Sequence, residues 1–223
     1  MRNKKHHTKF ILAIAMCFGG SSYLQAQDLH YSQYFNSPLL VNPANTGFAP
    51  DVDYRVGLNY RKQWASITTN PYRTFGVWGD VQLFNNRFDN GWVGLGGAIL
   101  RDVAGSGGLT STKGYGSVAY HQLMGLKSLL SAGFNVGFAS KRVDFSKLTF
   151  DSQWTGEIFD NKVPSNEPIL YNSVTYLDLQ LGLNYAYFPT DNVYVNAGFS
   201  VMHINRPKES FYDQSVVDPR LDR

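Results

Sequence analysis

Between Thr175 and Phe188 the chain reads T-Y-L-D-L-Q-L-G-L-N-Y-A-Y-F. Every odd position from Leu177 to Tyr187 is apolar or aromatic (Leu177, Leu179, Leu181, Leu183, Tyr185, Tyr187), and the even positions hold Asp178, Gln180, Gly182 and Asn184. Successive side chains of a strand point to opposite faces, so a period of two describes a strand with one greasy face and one polar face. The alternation outlasts the five or six residues usual for a soluble strand, and the polar face is too hydrophilic to enter a second core. A wall between lipid and water fits better, because crossing a bilayer takes roughly 9–11 tilted strand residues. The tyrosines sit where the greasy face ends, as a membrane girdle requires.

Residues 1–26 have the layout of a secretory signal peptide: Arg2, Lys4, Lys5 and Lys9, then the apolar run Phe10 to Phe18, then Leu24-Gln25-Ala26. The run is about half the roughly 20 residues a spanning helix needs, and cleavage is expected after Ala26. Cys17, the single cysteine, lies within this leader, so the mature chain offers no disulfide and no thiol chemistry. Of the 20 basic residues four belong to the leader, and of the 17 acidic ones none does. The rest of the chain therefore carries one more acid than base, and nothing points to nucleic acid. No other stretch approaches the roughly 20 consecutive apolar residues of a membrane helix. A chain rich in Tyr, Phe and Gly without helical periodicity reads as all-β.

Six further segments alternate in the same way. Val52, Tyr54, Val56, Leu58 and Tyr60 face away from Asp53, Arg55, Gly57 and Asn59; Phe75, Val77, Val81 and Leu83 face away from Trp78, Asp80 and Gln82. Val93, Leu95 and Ile99 make a third, the less regular Thr112–Met124 a fourth, Leu130 to Phe138 a fifth, and Val193 to Val201 the last. The links after strands two, four and six (85–91, 125–126, 189–192) are short, and a long loop follows strand five from about 146 to 171. Short periplasmic turns and longer external loops mark an outer-membrane barrel, so strand one runs outward from the periplasm. The expected architecture is an antiparallel up-and-down transmembrane β-barrel over residues 51–223. Seven is an odd number, and an open edge in lipid leaves costly unpaired backbone groups. The barrel is therefore expected to be incomplete in this chain, as a fragment of a longer protein or as a chain that closes with another subunit.

Residues 27–50 hold turn formers (Asn36, Pro38, Pro43, Gly47) and no sustained period, and read as a periplasmic arm or plug segment ahead of the barrel. Gln33, Tyr34, Asn42, Pro43 and Gly47 of this arm are the candidates for partner binding, since barrel closure gives no reason for such a segment. Asp80, Gln82, Asp178, Gln180 and Asn184 are the candidates for lining the lumen, either as a hydrated or plugged interior or as a lining that tunes passage. Gly94-Leu95-Gly96-Gly97 falls within a strand, without the helix and lysine of a phosphate loop. His30, His121 and His203 lack a metal-ligand spacing, and no catalytic constellation is signalled. The expectation is a non-enzyme without cofactor.

Ser32-Gln33-Tyr34, Leu40-Val41-Asn42-Pro43-Ala44-Asn45-Thr46-Gly47, Tyr60-Arg61-Lys62-Gln63-Trp64, Leu148-Thr149-Phe150-Asp151 and His203-Ile204-Asn205-Arg206-Pro207 resemble the PorP/SprF family, outer-membrane proteins of type IX secretion and gliding motility. The resemblance covers the front part of a typical member. It implies an outer-membrane barrel that assists export or surface attachment of cargo such as adhesins, with the lipid bilayer, periplasmic components of the apparatus and secreted cargo as partners. Composition and spacing by themselves leave a general diffusion porin open as the alternative.

Overall fold

The computed structural model describes residues 36–49, 52–88, 90–105, 107–160, 162–167, 171–190, 192–211 and 220–221, with backbone alone at 86–88. The leader at 1–26, and Gln33 and Tyr34 of the arm, lie outside the described residues.

All seven alternating segments are strands of one antiparallel sheet in sequence order: β1 (Tyr54–Gln63), β2 (Tyr72–Phe88), β3 (Gly91–Ala104), β4 (Leu109–Leu123), β5 (Ser128–Arg142), β6 (Ser173–Thr190) and β7 (Val193–Val201). The fold is all-β, an up-and-down half-barrel, and among the described residues no helix is long and apolar enough to cross a membrane. Most strands run well past the alternating stretch that announces them. The segment read as a link at 85–91 is largely β2, whose ladder with β3 slips between Leu83 and Phe88 and resumes at Phe88↔Gly91. The ladder of β3 with β4 reaches Ala104↔Leu109, and between them Gly105 and Gly108 take φ of 68° and 56°. The fourth segment, irregular in sequence, is a strand of 15 residues whose buried and exposed positions alternate.

The burial pattern is inverted relative to a water-soluble sheet. In β6 the apolar side chains are exposed, Leu181 at 51% and Leu183 at 54%, whereas Asp178 is 0%, Gln180 3% and Asn184 2% exposed. The same inversion covers β1 to β5: Val56, Leu58, Val77, Ile99, Val118 and Phe138 lie outside, and Asp80, Ser117, His121, Ser131 and Asn135 lie buried inside.

What buries that polar face is the chain's own arm. Pro38–Val41 forms a single helical turn, α1, and Pro43–Asn45 a 3-10 turn started by Asn42, whose side chain accepts the Ala44 N–H at 2.9 Å. Each turn opens on a proline, whose fixed φ suits the first helical position. Ser37, at one end of α1, is hydrogen-bonded to Asn59 of β1, and Val41, at the other, accepts a bond of 3.0 Å from Ser200 of β7. A flat sheet would hold β1 and β7 about 29 Å apart at roughly 4.8 Å per strand, while one helical turn advances only about 5.4 Å. The sheet therefore curls around the arm, with both edge strands reaching it. A small apolar cluster, Trp92, Leu129 and Ala186 with Phe48, Leu123 and Phe188 against it, closes the end that carries the short connections.

Candidate inner-face site

Two polar assemblies occupy the inner face. The first holds the arm, mostly by its main chain. Arg55 donates to the carbonyls of Asn45 (2.8 Å) and Phe48 (3.2 Å) and pairs with Asp80, which in turn accepts the Gly47 N–H at 2.7 Å. His121 lies with Nε2 at 2.7 Å from the Thr46 carbonyl and Nδ1 at 2.8 Å from the Ser131 hydroxyl, and its ring stacks on Trp92, centroids 4.9 Å apart. Trp92 donates to the Gly47 carbonyl at 2.9 Å, Asn135 to that of Leu39 at 3.2 Å, and Gln82 to that of Ala49. Asn42 spans the β6–β7 seam, donating to the Leu183 carbonyl at 2.9 Å and to that of Phe199 at 3.4 Å.

The sheet makes room for this backbone. A Cβ on Gly94 would stand 2.0 Å from the Thr46 carbonyl oxygen, and one on Gly182 would stand 1.9 Å from Asn42 Oδ1. These glycines are where another chain segment comes closest to the strand, a use that requires the missing side chain.

The second assembly centres on Asp178. Its carboxylate accepts from Tyr115 Oη (3.0 Å) and Gln180 Nε2 (3.0 Å) and pairs with His203 Nδ1 at 2.8 Å. Such a buried carboxylate is tolerable because each partner returns part of the hydration it lost. His203 arrives there because β7 leaves the sheet after Val201. His203 takes φ of 52° and turns inward, and the next residues cover the stretch of β6 that β7 abandons. Ile204 N–H bonds the Leu179 carbonyl at 3.0 Å, while the Asn205 side chain accepts from Leu179 N–H and donates to the Leu177 carbonyl, standing in for a peptide group. Glu209 then binds Lys141 and the Tyr176 hydroxyl, fastening the tail across the sheet.

Of the residues singled out from sequence, Asp80, Gln82, Asn184, Asn42, Pro43 and Gly47 meet in the arm assembly, with Asn184 donating to Asn45 Oδ1 at 3.2 Å. Asp178 and Gln180 belong to the second assembly, and Gln180 links the two by accepting from Asn135 at 3.2 Å. Arg55, Ser117, His121, Ser131, Asn135, Tyr115 and His203 also build these assemblies and were not singled out as site residues. Most share strand parity with those that were, which was the available signal; His203 had only its position in His-Ile-Asn-Arg-Pro. Among the described residues no group of His, Cys, Asp or Glu is arranged to hold a metal ion.

Neither a curated protein nor a solved structure matches the chain. A family model, that of the type IX secretion system membrane protein PorP/SprF, matches residues 24–222. With nearly its whole length matched, this chain belongs to the PorP/SprF family of type IX secretion membrane proteins.

Proposed function

We propose that the protein sits in the outer membrane as a barrel component of the type IX machinery, where it assists the export or surface attachment of cargo proteins such as adhesins, working with periplasmic components of the apparatus. The observation that carries this reading is the arm seated along the polar inner face by bonds from all parts of the sheet, from Asn59 on β1 to Ser200 on β7. A diffusion channel needs water along its wall, and here much of that wall is occupied by protein. The exposed apolar face of β1–β6 suits contact with lipid, and the leader at 1–26 suits export.

Deletion of the gene is expected to abolish surface display of a cargo protein while leaving uptake of small solutes unchanged. Loss of solute permeability with normal display would instead establish the porin alternative.

A further inference from the structure

The contacts between sheet and arm are of an unusual kind. Seven arm carbonyls, those of Leu39, Val41, Asn45, Thr46, Gly47, Phe48 and Ala49, are met by side chains of the sheet, and so is the Gly47 N–H. Arm side chains are read at few points, chiefly Ser37, Asn42, Asn45 and Thr46, and Leu39 is the single large apolar anchor, 1% exposed. Recognition through the main chain is how proteins accept a peptide segment as a class, with a pocket or two adding selectivity.

The receiving groups also hold one another. Asp80 pairs with Arg55, His121 bonds Ser131, and Asn135 bonds Gln180, all within the sheet. The seat thus keeps much of its shape and part of its hydrogen bonding whichever peptide lies in it. One acceptor is left over: Asn135 is 1% exposed, and its Oδ1, beside the arm at Leu39, has no partner among the described residues. A peptide that brings a donor to this point would satisfy it.

We infer that the inner face is a peptide-binding cleft whose resident ligand is the arm at 37–49, exchangeable for a peptide segment of the same class: a proline-started turn of small residues with one Leu-sized anchor. The inference deepens the export reading by naming what the site takes, and it rests on that reading only for the source of the peptide.

The test uses the full chain in detergent, with Cys17→Ala and the pair Thr46→Cys and Ser117→Cys. The two hydroxyls are hydrogen-bonded to each other, so their replacements are close enough for a disulfide that fixes the arm. A fluorescent peptide spanning residues 36–49 is titrated by anisotropy. Saturable binding to the reduced protein is expected, with about tenfold or greater weakening on oxidation. The same peptide carrying Gly47→Val should not bind, because a Cβ there would stand 2.6 Å from Gly94 Cα at a φ of 67°. No saturable binding to the reduced protein, or equal binding by the oxidised protein or the Gly47→Val peptide, overturns the inference. Should this pair not fold, as judged by heat-modifiable mobility, Ser37→Cys with Asn59→Cys fixes the arm at its other end. The outcome is independent of cargo display, so it separates from failure of the export reading.

Discussion

The two faces of the sheet are made by the same strands, yet they obey opposite rules. Outside, neighbouring positions carry Leu, Val, Phe and Tyr that touch little of the protein; Leu181 and Phe138 are 51% and 65% exposed. Inside, Asp178, His121 and Ser131 are each 0% exposed and held by hydrogen bonds. In water this arrangement would be inside out. In a bilayer the outer face needs only to be apolar, because lipid supplies its contacts, whereas the inner face must satisfy every buried polar group individually. Substitution tolerance should therefore be broad outside and narrow inside, and four experiments break or sharpen that contrast.

The largest effect is expected from Asp80→Ala. It strips the partner from Arg55 and the acceptor from the Gly47 N–H, and removing one member of a buried ion pair costs about 3–5 kcal/mol. Urea titration of the folded, heat-modifiable form measures it; a loss below about 1 kcal/mol, within the range of surface pairs, would mean that the inner face is not governed by pairing. Next comes Leu181→Lys on the outer face, expected to destabilise by roughly 2–4 kcal/mol when inserted in vesicles. The same substitution should be nearly neutral if that face meets water, which makes vesicle insertion the deciding assay.

A matched pair of glycine substitutions isolates packing. Gly182→Val forces a methine onto Asn42 Oδ1 and should cost about 1–3 kcal/mol or more by overpacking, along with faster proteolysis of the arm. Gly116→Val, in a strand but on the outer face, meets only the Val136 carbonyl at 3.9 Å and should leave stability unchanged or slightly improved. Equal effects at the two sites would erase the distinction between the faces.

The smallest effect lies beyond both faces, in the loop after β5. Asp144 is held below the usual carboxylate range by the hydrogen bond from Ser146, with Lys147 adding to it. A depressed folded value means that its contribution is present above the ordinary aspartate range and is lost as pH falls through the folded value. Asp144→Asn should therefore differ slightly from the parent at neutral pH and converge with it in acid, as followed by stability against pH.

Periodicity along the strands was legible because side-chain alternation is a local property of extended backbone, read from neighbours two residues apart. That is why Leu177 through Tyr187 identify β6 and its apolar outer side, and why Asp80, Asp178, Gln180 and Asn184 are recognisable as inner residues. Strand ends were not legible in the same way. Polar residues such as Ser128 and Ser173 belong to strands because ladder bonds with a neighbouring strand override weak local preference.

The sequence by itself determined the number of strands, the face each residue takes and, through motifs spread along the chain, the family. Tertiary structure decided that the segment rich in Asn and Pro would fill the curl, that Asn42 would bond a carbonyl 141 residues away, and that His203 would turn in to meet Asp178. The physical reason is the same in each case. A polar side chain carries no record of its partner in its local sequence, and the partner is fixed only when the sheet curls and brings distant donors and acceptors together.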